Sequence, residues 1–156
     1  MMALKKISVL VVLLLLSITY SCSKKILPTS EVNYLSGNDG TITMRAIGNG
    51  TNQQKAISEA EKNAINVLFF RGLPESEQKI ALIGTNESEE IKKHEQYFEK
   101  FYMQKRYKTF IMSSIPASDF AKQNGGTKSL SVDVKVNLVA LRKDLEENNI
   151  IRKFGF

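Results

Sequence analysis

The 156-residue chain has one cysteine, one histidine and three prolines. A single cysteine rules out an intramolecular disulfide. The single histidine, His94, has no second imidazole or thiol with which to complete a zinc site. Nor can it activate a cysteine nucleophile, because the one thiol, Cys22, lies far upstream of the folded part of the chain. The sequence contains no long-period repeat and no low-complexity block. Its longest apolar run, from Ile7 to Ile18 and broken only by Ser8 and Ser17, is about 12 residues long. A spanning helix needs about 20, so this run is not expected to cross a membrane permanently.

That run has a different reading. Lys5 and Lys6 precede it and Thr19-Tyr20-Ser21-Cys22 follow it. A positive start, a short apolar stretch and a small residue before a cut describe a secretory signal peptide. An odd cysteine in an exported chain calls for an explanation, and the position of Cys22 directly after Ser21 supplies one. It resembles the lipobox of bacterial lipoproteins, in which the cysteine is acylated and becomes the new N-terminus. Thr19 and Tyr20 depart from the usual box, which has a branched apolar residue three before the cysteine. One acyl chain holds a protein on a bilayer only marginally, so stable anchoring needs several. The lipobox resemblance implies such multiple acylation (palmitate among the chains). Ser23 follows the cysteine where an aspartate would resemble an inner-membrane retention signal, and Lys24 and Lys25 stand where an acidic surface-export signal would be. The expectation is an outer-membrane lipoprotein with its domain facing the periplasm. Residues 1–21 would be signal peptide, 22–37 the lipidated cysteine and its tether, and 38–156 a single domain.

Loss of residues 1–21 removes Lys5 and Lys6 from 22 basic and 16 acidic residues, leaving an excess of four positive charges. Nucleic acid is not an expected partner in the envelope, whereas anionic headgroups, polymers or proteins would feel this charge.

Within the domain, Asn38-Asp39-Gly40 is a turn signal. Thr41 to Ile47 alternates apolar and polar side chains, as a half-buried strand does. Thr51, with Gln54 three residues on, has the pattern of a capping box opening a helix over 51–70. Ile57, Ala60, Ala64, Ile65 and Leu68 form its apolar face, and Gly72 and Pro74 stop it. A loop with a short strand near Ala81–Ile83 follows. A second helix, over 87–105, starts with Glu87, Glu89 and Glu90 at the positive end of its dipole and carries Ile91, Tyr97, Phe98, Phe101 and Tyr102 on one face. Tyr107 to Ser113 reads as a strand. Leu130, Val132, Val134, Val136 and Leu138 alternate strictly with polar residues, which marks a strand with one wet face. A short helix then ends near Asn148. The predicted fold is α+β: an antiparallel sheet of three or four strands with two main helices on one face.

Candidate chemistry is sparse. Gly48-x-Gly50 lies where a dinucleotide fingerprint would lie, but Gln53 occupies the third glycine position and the preceding strand is amphipathic. It reads as a strand-to-helix turn. His94 sits at the edge of an apolar face, as a partly buried structural histidine would. Glu87, Glu89 and Glu90 read as a solvated helix start, and Asp133 and Lys135 as the wet side of a strand. The one cluster that suggests a partner is Lys100, Lys105, Arg106 and Lys108 interleaved with Tyr102 and Tyr107, at the end of an aromatic-rich helix. Its plainer reading is a solvated helix end. No cofactor, metal or catalytic residue is expected.

An apolar strand closing on glycine, then Ala56-Ile57-x-x-Ala60-x-x-x-Ala64, and later Val132-Asp133-Val134-Lys135-Val136 leading into a short helix, resemble small bacterial outer-membrane lipoproteins related to the amino-terminal domain of the flagellar assembly protein T. The likeness covers residues 41–72 and 128–147. It implies helices on one face of an antiparallel sheet, no catalytic residues, and a structural or assembly role beside an envelope protein partner. The alternative expectation is a periplasmic binding module for a small ligand or a cell-wall polymer.

Overall fold

The computed structural model describes residues 31–122 and 127–153. Its centre is a pair of ten-residue antiparallel strands, β2 (Thr41–Gly50) and β5 (Lys128–Asn137), in unbroken register from Thr41↔Asn137 to Gly50↔Lys128. Both alternate with period two, so their apolar sets coincide. Ile42, Met44 and Ala46 lie opposite Val136, Val134 and Val132, all at most 2% exposed. A one-residue slip would turn every one of them to water.

Two edge strands flank this pair. β1 (Val32–Asn38) is hairpinned to β2. Asp39 and Gly40 both take positive φ, 49° and 73°, as a tight two-residue hairpin requires. β3 (Ile111–Pro116) runs along the other side of β5, which also pairs the two-residue β4 (Ala121–Lys122). The order is β1-β2-β5-β3 and every pairing is antiparallel. Residues 32–37 are thus an edge strand and not the tether expected from their turn-forming composition. Val32 and Tyr34 pack against the core and outweigh local propensity.

Helix α1 (Gln53–Phe70) crosses the apolar face of the sheet. Asn52, not Thr51, caps it, accepting from the Lys55 amide. Ala56, Ala60 and Ala64 are fully buried against the strands. At Gly48 an added Cβ would lie 1.9 Å from the Ala56 carbonyl oxygen. Glycine there and alanines opposite let helix and sheet backbones touch. At its far end Gly72 takes φ 76°, and the Leu82 and Ile83 amides donate to the Leu68 and Phe69 carbonyls. The segment expected as a short strand at 81–83 instead serves the last turn of α1, whose carbonyls lack helical partners.

The helix expected over 87–105 is two helices, α2 (Glu87–Lys93) and α3 (Glu95–Met103). His94, at φ −121° and ψ 36°, breaks it. The break turns Phe98 and Phe101 onto Phe69 and Phe70 of α1, with ring centroids 5.3–6.2 Å apart for the contacting pairs, and stacks Tyr97 on Phe101. Tyr107 to Phe110, expected as the start of a strand, belongs to a 3₁₀-helix (Arg106–Phe110), and β3 begins only at Ile111. Burying both Tyr107 and Phe110 requires the three-residue spacing of that helix. Helix α4 (Leu138–Glu147) closes the layer with Leu141 and Leu145. The fold is α+β, with five strands in the sheet and the helices packed against one face.

Candidate functional site

The basic–aromatic segment from Tyr102 to Lys108 is organised by one backbone feature. Lys105 adopts the left-handed conformation, φ 60° and ψ 26°. This reverses the chain between α3 and the 3₁₀-helix, drives Tyr107 into the core, and sends the three cations in separate directions.

Arg106 turns toward α4. Its guanidinium pairs with Asp144 and lies 5.9 Å from the Tyr97 ring centroid. Tyr97 donates its hydroxyl to the same carboxylate at 2.8 Å. Burial, and then this hydrogen bond, push the Tyr97 phenol far above its ordinary pKa. Lys108 turns toward α1, its Nζ 3.0 Å from Glu61 Oε2. Glu61 is 5% exposed, and its other oxygen, Oε1, accepts a hydrogen bond from Ser114 of β3 at 2.9 Å. Two of the three cations therefore tie helices together.

Lys105 alone stays exposed, beside Tyr102. Together they line a groove of about 500 Å³ whose other wall is the first turns of α1, including Lys55, Ser58 and Lys62. Tyr102 donates to Asn66 of α1. Burial raises the pKa of its phenol and of Tyr107's. The proposed cluster is thus not one surface: Tyr102 and Lys105 share a groove, while Arg106 and Lys108 belong to internal ion pairs. Sequence reading missed Glu61 and Asp144. Each left a signal, since Glu61 falls between Ile57 and Ile65 on the apolar face of α1 and Asp144 adjoins Leu145.

His94 lies between α2 and α3 with its Nε2 3.9 Å from Glu90 and its side chain 18% exposed. It borders a cavity of about 470 Å³ with Lys92, Lys93, Lys100 and Arg106. Among the described residues no three His, Cys, Asp or Glu side chains are grouped to hold a metal. Glu89 accepts from Asn86, the cap of α2, and Glu90 lies 3.8 Å from Lys93. Gly48 and Gly50 serve the close approach of α1. Asp133 accepts from Arg45 Nε and Nη2, at 2.7 and 2.9 Å, on the open face of the sheet. Lys135 lies on that face too, in register with Thr43. Cys22 lies outside the described residues, and no helix among them is long and apolar enough to cross a membrane. No protein-family model, curated protein or solved structure matches the chain.

Proposed function

We propose that the chain is an outer-membrane lipoprotein, anchored by acyl chains on Cys22, whose periplasmic α+β domain has a structural or assembly role and no catalytic one. The observation that carries the anchoring is the place of the only cysteine, directly behind a basic start and a short apolar run. The resemblance to lipoproteins related to the flagellar assembly protein T points the same way. The non-catalytic reading is supported by how the buried charges are used. Glu61 is bound by Lys108 and Ser114, and Asp144 by Arg106 and Tyr97. These carboxylates tie α1 to β3 and α4 to α3, which is structural work. The test is fatty-acid labelling with membrane fractionation of wild type and Cys22→Ala. Label on the wild type, and release of the variant from the membrane, are the expected results. A wild type that takes up no label refutes the anchoring. Crosslinking in intact cells, followed by purification from membranes, should recover an envelope protein joined to the domain.

A further inference from the structure

The groove beside Lys105 has features that a solvated helix end does not explain. It lies at the N-terminus of the 18-residue α1, where the helix dipole is positive. Helices commonly place acids in that first turn. Here there is none, and Lys55 stands there instead. Lys105 approaches from the opposite wall. Neither lysine has a carboxylate within 4 Å among the described residues, whereas Lys108 and Arg106, close by in sequence, both do. Three like contributions, two ammonium groups and a helix start, therefore converge, and the carboxylate on the groove wall, Glu59, lies 3.8 Å from a third lysine, Lys62.

The wall between them holds a second, independent feature. Tyr107 is fully buried, lines the same groove, and its hydroxyl lacks a well-formed hydrogen bond. Ser58, one turn into α1, is its polar neighbour there. A buried hydroxyl left in this state is costly unless an acceptor arrives. An anionic oxygen reaching between Ser58 and Tyr107 would supply one.

The space exceeds that of a single small ion. A further cavity of about 570 Å³, lined by Thr127 and Lys128, shares Asn49, Gly50 and Thr51 with the first. The two adjoin at the start of α1, with Lys55 and Lys105 on one and Lys128 on the other.

We infer that this groove binds an extended phosphate-bearing ligand, with one phosphate between Lys55 and Lys105 and its oxygen on Ser58 and Tyr107. Backbone amides at a helix start and flanking ammonium groups are the recognised chemistry for that group. The site does not depend on the lipid anchor.

The test is calorimetric titration of the full chain in neutral detergent with sodium tripolyphosphate at low salt. Saturable one-to-one binding is expected. Lys55→Gln and Lys105→Gln should each weaken it about tenfold, as loss of one charge-assisted contact does. Tyr107→Phe, which keeps the ring and so the fold, should weaken it about threefold. Lys143→Gln, on the exposed face of α4 beside Glu147, should leave it unchanged. Parallel titrations with inorganic phosphate and with micelles carrying phosphatidylglycerol separate the sources. Tightest binding of tripolyphosphate assigns a soluble polyphosphorylated ligand, and tightest binding of the micelles assigns a lipid headgroup. Absence of saturable binding to all three overturns the proposal. So does an equal loss from Lys143→Gln, which would mean charge screening without a site.

Discussion

Lys108 Nζ lies 3.0 Å from Glu61 Oε2, joining the 3₁₀-helix to a carboxylate buried in the middle of α1. The lysine side chain is 37% exposed and the glutamate side chain 7%, so the asymmetry decides what each substitution does. Lys108→Ala strands a buried charge with one remaining partner, Ser114. It should cost about 1–3 kcal/mol, discounted from a fully buried pair because water replaces part of the ammonium. Glu61→Gln leaves an exposed-edge lysine and an amide that still bonds Ser114, so it should cost less. Urea denaturation of the two variants checks the order.

Gly48→Ala should be severely destabilising although the change is one methyl group. The new Cβ meets backbone, 1.9 Å from the Ala56 carbonyl and 2.6 Å from the Ala60 nitrogen, and backbone cannot rotate away. Overpacking of this kind costs about 3 kcal/mol. Gly84→Ala is the contrast, since its nearest neighbours are atoms of the flexible Glu90 side chain at 3.3 Å and beyond. Thermal melts of the two should differ by several degrees.

The period-two strands were the legible part of this fold, and with them the core. Leu130 to Val136 alternate because one face is dry, and all four apolar residues there are at most 2% exposed. What stayed hidden was decided by partners far away in sequence. β1 carries Ser36 and Gly37, and only its pairing with β2 makes it a strand. The break at His94 and the 3₁₀-helix follow from packing six aromatic residues of 97–110 on one another and, through Phe98 and Phe101, on Phe69, which periodicity within the segment does not encode. The groove was half visible: Lys105 and Tyr102 stood out as a cation beside a ring, whereas Lys55 and Ser58 looked like the outside of an ordinary helix. Arg106 and Lys108 looked like surface because their acids lie 38 and 47 residues away.

Val134 and Lys135 are adjacent in β5 and face opposite ways. Val134→Asp puts a charge at a fully buried position and should cost roughly 3 kcal/mol or more. Lys135→Ala, on the open face, should cost under about 0.5 kcal/mol. Equal losses in chemical denaturation would mean that the register of β5 is wrong.

Acid should report the Arg45–Asp133 pair. The hydrogen bond from Arg45 holds the Asp133 carboxyl below its ordinary pKa. A depressed folded pKa gives stability that is present above the unfolded value, near about 4, and is lost as pH falls through the folded one. Asp133→Asn should therefore lower the denaturation midpoint at pH 7, and the gap should close as the pH drops below about 4. A gap independent of pH would deny the ion pair any part.

Alkali should act through the buried phenols. Burial raises the pKa of Tyr97, Tyr102 and Tyr107. Groups raised in the fold stabilise it below the unfolded value, about 10, and cease to do so as pH climbs through the folded values. Absorbance near 295 nm should show these phenols ionising late and together with loss of helical circular dichroism. Early, independent titration of Tyr97, Tyr102 and Tyr107 would contradict their burial.

The first strand begins at Val32, about ten residues beyond Cys22. Under the anchoring proposed here, that linker reaches at most about 35 Å even if drawn straight. A tether running to residue 37 would have reached about 55 Å. Each residue recruited into β1 thus shortens the radius within which the domain can search. Partners embedded in or lying on the same leaflet meet it at high local concentration, while those deeper in the periplasm must come to it.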